Sequence, residues 1–364
     1  MSSKLSSAIS SVERSSNAFA SRKTGLGSKK DIRRILVIRA GALGDTILML
    51  PLLKALRYAF PQAYLEAMGY AERLQVALGE PYAHQISSID RRGLEAFFVK
   101  DSALPTDLVK FFGSFDLILS YKRDPEGRWT ENLRKTGVRQ AYTFNPFPPE
   151  ETPVHITTYL LKTLAGLGVE VEEGAPKIYP PPWAREEAEK FWKENRLPAE
   201  GERAVFAVHP GSGSLKKVWP PTKFAEVCRG ILEQYQGHVL LISGPADTES
   251  VRKVLAFFPD KRSPLLVDNK PLLVLAAILE RCRAYIGNDS GVTHLAAAVD
   301  LPVVALFGPT DPRIWRPLGK KVKILQAGTQ AVGFNQTGPR PGSFYRGLEQ
   351  LEVGTVMEAL RSIL

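Results

Sequence analysis

Short apolar runs alternate along the first half of the chain with longer segments that mix apolar and charged residues. RILVIR at 34–39 is followed by AYLEAMG after Pro61 and by FDLILSY at 115–121. Apolar strands separated by helical segments are typical of a parallel sheet, whose strands are buried on both faces and joined by crossover helices. The pattern predicts an α/β domain over residues 34–179.

The second half repeats this pattern after a change in composition at the proline run PPP, residues 180–182. Its apolar runs are AVFAVHPG, HVLLISG, SPLLVD, AYIGNDS and LPVVALFG. Because a proline run is typical of a stiff linker, we place the domain boundary there and predict a second domain over 180–350. A short amphipathic helix within 351–364 follows, and it can pack across the hinge. The predicted architecture is two Rossmann-like domains facing each other across a cleft.

The charge of the chain indicates an acidic partner. Its formal net charge is +10, and residues 1–33 form a Ser-rich basic segment that we expect to be a mobile tail. No basic and aromatic spacing typical of nucleic-acid-binding motifs occurs, so we expect no nucleic-acid partner. The longest apolar run, 272–279, is far shorter than the ~20 residues of a membrane-spanning helix. The acidic partner that the charge indicates is therefore an anionic lipid surface or a phosphorylated glycan.

Few residues are suited to bind a metal. Cys228 and Cys282 are the only cysteines, and both lie in apolar segments. Free buried thiols fit a reducing cytoplasm. Five scattered histidines add no zinc-ligand spacing, so we expect neither a metal nor a cofactor.

Two loops after strands of the second half carry groups suited to a nucleoside diphosphate. HPGSGSLKKVWP offers the hydroxyls of Ser212 and Ser214 and the cation of Lys217, which could hold a diphosphate. SGPADTES offers Asp247 and Glu249, whose carboxylates suit ribose hydroxyls. Both lysines at 216–217 could equally be solvated surface residues.

A third loop opens a helix made largely of alanine. Asp289, Ser290 and Gly291 precede His294 in GNDSGVTHLAAAV, where free backbone N–H groups can meet phosphate. Ser290 could instead be an ordinary helix cap, and His294 a hydrogen-bonded core residue. Three such loops at successive strand ends favour a binding site over three separate structural roles.

The loop AGALGD in the first half lacks the full G-x-G-x-x-G dinucleotide fingerprint, since only Gly41 and Gly44 are present. Glu66, taken to end the next strand, is the one feature that favours NAD. A carboxylate at Asp45 would repel a pyrophosphate placed at this loop. Asp45 is either the N-cap of the following helix or a base that faces the cleft.

These motifs together resemble glycosyltransferase family 9, the ADP-heptose:lipopolysaccharide heptosyltransferases. The similar segments are ILVIRAGALGDTILMLPLLKALRYAFP, HPGSGSLKKVWP, LISGPADTE and GNDSGVTHLAAAVDLPVVALFGPTDP, and the resemblance covers about residues 34–364. It implies a GT-B fold, metal-independent inverting transfer, a donor-binding C-terminal domain and an acceptor-binding N-terminal domain. It also implies a catalytic base at Asp45 and a donor site that includes Lys217, Glu249, Asp289, Ser290, Gly291 and His294.

The resemblance predicts an enzyme that moves a sugar, with heptose from ADP-heptose as the first expectation, to a lipopolysaccharide core or related glycan. Its partners would be the nucleotide-sugar donor, an anionic glycolipid or glycan acceptor, and an anionic membrane surface, at the cytoplasmic face of the inner membrane. A nucleotide-sugar epimerase and a non-catalytic sugar-nucleotide-binding protein are the alternatives. An NAD-dependent oxidoreductase is disfavoured by the incomplete fingerprint.

Overall fold

The computed structural model describes residues 31–149, 153–199, 204–259, 263–327 and 347–364. A first sheet contains five strands, β1 (Arg34–Ile38), β2 (Tyr64–Gly69), β3 (Gln85–Ser88), β4 (Leu117–Tyr121) and β5 (Gln140–Phe144). Their order across the sheet is β3-β2-β1-β4-β5, and each neighbouring pair is parallel.

A second sheet contains six strands, β6 (Val205–His209), β7 (His238–Ser243), β8 (Leu265–Asp268), β9 (Ala284–Asn288), β10 (Val303–Phe307) and β11 (Val322–Gln326). Their order is β11-β10-β9-β6-β7-β8, again with parallel pairs. The chain therefore builds two doubly wound sheets, one after the other.

Helices cover both faces of each sheet. With the first sheet lie α1 (Leu43–Ala59), α2 (Ala71–Leu74), α3 (Thr106–Gly113), α4 (Arg128–Lys135) and α5 (Ile156–Gly166). With the second sheet lie α6 (Pro182–Glu194), α7 (Pro221–Gln234), α8 (Thr248–Leu255), α9 (Leu272–Glu280), α10 (Gly291–Ala298), α11 (Pro312–Trp315) and α12 (Val353–Ile363). We call the elements from β1 to α5 the first lobe and those from α6 to α12 the second lobe.

The strand order creates one crevice in each lobe. Central strand β1 pairs with β2 on one side and β4 on the other, and β6 pairs in the same way with β7 and β9. Ligands of open α/β sheets bind where such strand order reverses, at the carboxyl ends of the strands. In this chain those positions carry the AGALGD loop in the first lobe and the HPGSGS and NDSG loops in the second.

One apolar cluster joins the two lobes. Helix α1 packs against α5 within its own lobe and against α10 of the other lobe. Ile47 and Leu50 of α1 are at most 1% exposed and share this cluster with Leu295 and Ala296 of α10, which are fully buried. Burial of this kind stabilises by about 25 cal/mol per Å² of apolar surface. The lobes are thus held together at the edge where their binding loops meet.

The chain crosses between the lobes in an extended segment that includes the first two prolines of the proline run. Pro182 is the first residue of α6, a position where the missing N–H of proline has no helical partner to lose. Upstream, Ile178 N donates to the Ala298 carbonyl at 2.9 Å, so the end of the crossing segment is fixed to α10.

The last helix packs on the second sheet. Helix α12 contacts α7, β10 and β11, and its Val356 and Leu360 are fully buried in a cluster with Trp219. The predicted tail lies outside the described residues up to position 30, while Ile32 is buried against the first sheet. In the described part of the chain, no helix combines the length and the hydropathy needed to span a membrane.

Candidate active site

Asp45 lies in the first turn of α1 with its carboxylate held from two sides. Helix α1 begins at Leu43, so Asp45 is its third residue and not the N-cap that the sequence suggested. Its Oδ2 accepts from Ala42 N at 2.9 Å, which satisfies a backbone donor that the helix itself leaves without a partner. Its Oδ1 accepts from Arg39 Nη2, also at 2.9 Å.

Arg39 fixes the direction of that carboxylate. The Arg39 side chain is only 3% exposed, whereas that of Asp45 is 20% exposed. A second guanidinium nitrogen, Nη1, donates to the Pro146 carbonyl at 3.0 Å. Each Asp45 oxygen thus holds one hydrogen bond and keeps a lone pair. This arrangement allows the carboxylate to accept a proton without rotating.

The N-terminal ends of α1 and α10 meet at the lobe junction. A Cβ on Gly291 would lie 2.6 Å from the Leu43 Cβ, and a Cβ on Gly44 would lie 3.0 Å from the His294 Cδ2. The first distance is too short for a real side chain, so Gly291 must be glycine for the lobes to approach this closely, whereas a side chain at position 44 would require the His294 ring to shift. The contact brings the Asp45 loop of the first lobe up to the NDSG loop of the second.

His294 is a buried neutral residue at this junction. Burial lowers its pKa to about 4, although the nearby carboxylates of Asp289 and Asp45 act in the opposite direction. Its Nδ1 is buried and has no hydrogen-bond partner among the described residues. A buried nitrogen of this kind costs free energy until a ligand or water satisfies it.

Lys217 and Asp289 form an ion pair between two loops of the second lobe. The Lys217 Nζ lies 2.8 Å from Asp289 Oδ2, with the lysine side chain 33% exposed and the aspartate side chain 7% exposed. Ser212 Oγ donates to the Asp289 carbonyl at 2.8 Å and ties the same loops together. Ser214, half-buried, precedes the 3-10 turn that carries Lys217, and neighbouring Lys216 is exposed.

The side chain of Asn288 holds the HPGSGS loop in place by hydrogen bonds. Its Nδ2 donates to the carbonyls of Pro210 and Gly211 at 3.0 and 3.2 Å, while its Oδ1 accepts from Trp219 N at 3.0 Å. Trp219 is fully buried and donates through Nε1 to the Leu351 carbonyl. Trp219 is therefore a packing residue that fixes the position of the loop that carries Lys217.

The two acids of the SGPADTES loop have different environments. Asp247 is 7% exposed, and its Oδ2 accepts from Gly244 N at 3.0 Å and from His209 Nε2 at 2.9 Å. Glu249 does not join this cluster. Its side chain is 62% exposed, and its carboxylate pairs with Arg252 and Lys253 on the surface of α8.

Glu66 lies inside strand β2, so the prediction that it ends this strand is wrong. It is the third residue of β2, 5% exposed, and accepts from the Tyr64 hydroxyl at 3.2 Å. Its strand continues to Gly69, which places the carboxylate inside the sheet and away from the carboxyl edge. The dinucleotide interpretation loses its one supporting feature.

Lys122 is a cleft-edge residue that the sequence did not reveal. It directly follows β4, the neighbour of β1, and its Nζ lies 3.3 Å from the ring centroid of Phe98 and 4.0 Å from that of Trp129. Burial lowers its pKa to about 8. Nothing in the segment YKRDPEGRWTENLRKTG marks this ammonium, because Phe98 is distant in sequence and the contact with Trp129 of the same segment depends on the fold.

No group of three or more His, Cys, Asp or Glu side chains within the described ranges could hold a metal ion. The expectation that this chain works without a metal remains a prediction.

Comparison with known proteins assigns the chain to a family. The family model described as glycosyltransferase family 9 (heptosyltransferase) matches residues 146–337, more than half of the chain. Lipopolysaccharide heptosyltransferase 2 of Escherichia coli K12 is 24% identical over 359 residues, which cover 91% of this chain and 98% of that protein.

Solved structures agree on the fold. A family 9 glycosyl transferase from Veillonella parvula superposes with a TM-score of 0.75 at 22% identity and covers 93% of this chain and 98% of its own. The E. coli heptosyltransferase WaaC with ADP gives a TM-score of 0.63 at 17% identity, covering 91% and 100% of the two chains. The predicted GT-B type fold and family resemblance are confirmed.

Proposed function

This chain belongs to glycosyltransferase family 9 and is a glycosyltransferase, and we propose that it moves heptose from ADP-heptose to a lipopolysaccharide core or a related anionic glycan. The observation that carries the proposal is the meeting of two loops across the lobe junction. Asp45, whose carboxylate is partly exposed, faces a second-lobe site that is formed by Lys217, Asp289 and the N-terminus of α10. We propose heptose as the sugar and ADP as the nucleotide because the relatives are named as heptosyltransferases, one of them with ADP.

The two lobes have separate roles in this proposal, acceptor binding by residues 34–179 and donor binding by residues 180–350. Asp45 takes the proton of the acceptor hydroxyl as that oxygen attacks the anomeric carbon. The bond between that carbon and the diphosphate oxygen breaks, the electron pair leaves with the nucleoside diphosphate, and the configuration inverts. General base catalysis of this kind contributes about 10²–10⁴-fold.

The leaving diphosphate is stabilised from the second lobe. Lys217 supplies a cation, and Ser290 and Gly291 place free backbone N–H groups of α10 beside it. Ser212 sets the loop through its bond to the Asp289 carbonyl, with the Ser214 hydroxyl beside the phosphates. His294 Nδ1, which has no partner in the described structure, is available to the donor sugar or its phosphate.

In this proposal, Glu249 contacts only the ribose of the donor. Its exposed carboxylate would exchange its pairs with Arg252 and Lys253 for the ribose hydroxyls. Surface ion pairs of this kind contribute little to stability because water screens them, so this exchange costs little.

Lys122 is our candidate for contact with the acceptor. It stands at the crevice between β1 and β4, beside the loop that carries Asp45. A partly desolvated ammonium between two rings binds a carboxylate or phosphate more strongly than a solvated one. An anionic acceptor sugar suits this position.

The proposal is tested by incubating the full-length protein with ADP-, GDP-, UDP- and CDP-activated sugars, with and without truncated lipopolysaccharide. We expect sugar transfer from ADP-heptose that needs the acceptor and that survives a chelator. Isomerised donor without any acceptor would indicate an epimerase, and saturable donor binding without turnover would indicate a non-catalytic binding protein. Loss of transfer in the chelator would contradict the metal-free mechanism.

We also propose peripheral contact with an anionic membrane at the cytoplasmic face of the inner membrane. Net charge of +10 supports it, because basic residues near an anionic surface contribute about 1 kcal/mol each. We expect sedimentation with vesicles containing phosphatidylglycerol to weaken as salt rises, since the screening length falls to roughly 8 Å at physiological ionic strength. Equal binding to neutral vesicles, unaffected by salt, would refute the electrostatic contact.

A further inference from the structure

His209, Asp247 and Ser290 form a hydrogen-bonded chain behind the proposed diphosphate site. His209 Nε2 lies 2.9 Å from Asp247 Oδ2, and His209 Nδ1 lies 3.2 Å from Ser290 Oγ. His209 is 2% exposed and ends β6, whereas Asp247 follows β7 and Ser290 follows β9. Three separate strand ends therefore converge on one imidazole.

The partners decide which nitrogen of His209 carries a hydrogen. Burial alone would raise the pKa of Asp247, but its hydrogen bond and charge interaction with His209, with a bond from Gly244 N, hold that pKa below its usual value. An ionised carboxylate only accepts hydrogen bonds, so Nε2–H is the donor to it. The remaining nitrogen, Nδ1, either accepts from the Ser290 hydroxyl or carries a second proton and donates to it.

These two states turn the Ser290 hydroxyl in opposite directions. With a neutral imidazole, the Ser290 hydrogen points back at Nδ1, and an oxygen lone pair is left for the ligand. With an imidazolium, Ser290 Oγ accepts from Nδ1–H and from Thr293 N, the helix-capping bond at 3.4 Å. Its hydrogen is then free to turn to an anion, or to Thr293 Oγ1 at 3.1 Å when no anion is present.

We infer that binding of a nucleoside diphosphate at this site is coupled to uptake of one proton by His209, which then turns the Ser290 hydroxyl toward the ligand as a donor. The inference rests on the proposed function, because it deepens the role of the same donor site. The proton comes from solvent, and the Asp247 carboxylate balances the charge of the imidazolium. His209 is a positioning residue here, because it acts on the ligand through Ser290.

The other ionisable groups around this chain do not replace His209 as the proton acceptor. Burial raises the pKa of Tyr285, whose hydroxyl lies 3.1 Å from Thr293 Oγ1, so this side chain stays neutral. His294, on α10, is neutral because burial lowers its pKa to about 4. Asp289 is already paired with Lys217.

Serine hydrolases use the same three residue types in a different way. There the histidine accepts the serine proton and the serine oxygen attacks the substrate. Here Ser290 caps helix α10, and its neighbour Asp289 pairs with Lys217. The group to be stabilised is an anion. The state that stabilises the ligand is therefore the one in which the Ser290 hydroxyl donates its hydrogen to that anion.

Calorimetric titration of the full-length protein with ADP tests the inference. Measurements in buffers of different ionisation enthalpy give the number of protons taken up on binding. We expect uptake by the unaltered protein that His209→Gln abolishes and that His84→Gln, a change at a surface histidine of the first lobe, leaves intact. ADP affinity should also fall as pH rises, by up to about tenfold per pH unit, more steeply than in His209→Gln.

The possible outcomes separate this inference from the proposed function. ADP binding without proton uptake, or with uptake that persists in His209→Gln, would overturn the inference and leave the donor site standing. Failure of ADP, GDP, UDP and CDP alike to bind the unaltered protein would overturn both. If His209→Gln does not fold, Asp247→Asn replaces it, because loss of the carboxylate disfavours the imidazolium and should reduce the uptake.

Discussion

The Asp45→Asn variant is expected to fold and to bind donor but to turn over at least about 10²-fold more slowly, the usual scale of general base catalysis. Asparagine keeps an oxygen for the Ala42 N–H but loses the charge that pairs with Arg39. Hydrogen bonds to charged groups contribute about 1.5–3 kcal/mol, so some stability should also be lost. The measurement is kcat at saturating donor and acceptor, together with thermal unfolding and ADP affinity.

Asp116→Asn is the matched control for this change. The Asp116 carboxylate accepts from Arg33 N and Arg34 N at 2.9 and 3.0 Å and pairs with Arg139 at 3.6 Å. Its side chain is 21% exposed, but it precedes β4 and so lies at the opposite edge of the first sheet. We expect it to lose stability without losing turnover. Near-normal transfer by Asp45→Asn would instead remove Asp45 from the mechanism.

The buried strands were predictable from sequence, whereas three edge strands were not. Strands such as β1, β4 and β9 are continuous apolar runs because helices cover them on both faces. QISS of β3, QAYTF of β5 and VKILQ of β11 lie at sheet edges and are mostly half-buried. Their mixed composition reflects one solvated side, which leaves no apolar run to recognise.

The sequence predicted where the second-lobe loops lie but not the contacts that orient their side chains. Small and polar residues after apolar strands located the three second-lobe loops, since parallel strands end at a common edge. The partners of those residues are distant in sequence: 38 positions separate His209 from Asp247, and 77 separate Ser212 from Asp289. Sequence pattern carries no such pairing, so His209 was taken only as part of a glycine-rich loop.

The N-cap alternative for Asp45 shows the same limit of sequence patterns. Its position after Gly44 suggested an N-cap, but the N-cap is Ala42, three residues earlier, and the Asp45 carboxylate reaches back to Ala42 N. Helix boundaries depend on which side chain satisfies the first N–H groups. The Arg39 contact that orients the carboxylate belongs to the preceding strand end, and no sequence motif marks it.

Lys217→Met is expected to reduce kcat/KM for donor by about 10²–10³-fold, the cost of removing one group that stabilises a leaving anion. Methionine keeps an apolar stem of similar length while removing the cation. Asp289 would then lose its partner at 2.8 Å and direct an unbalanced charge toward the diphosphate. Lys216→Met is the matched control, since it removes the same charge from an exposed neighbour of the same turn and should change the rate little.

The double variant Lys217→Met with Asp289→Asn distinguishes two roles for the lysine. If Lys217 acts only by neutralising Asp289, removal of both charges should restore most of the ADP affinity. If its Nζ contacts the diphosphate, the double variant should remain far weaker than the unaltered protein, because removal of the Asp289 charge does not replace that contact. We expect the second result, because Lys217 keeps 33% of its side chain exposed while Asp289 is 7% exposed, which leaves the ammonium accessible to a ligand. Equal losses in Lys217→Met and Lys216→Met would contradict a specific contact and reduce both lysines to general electrostatic attraction.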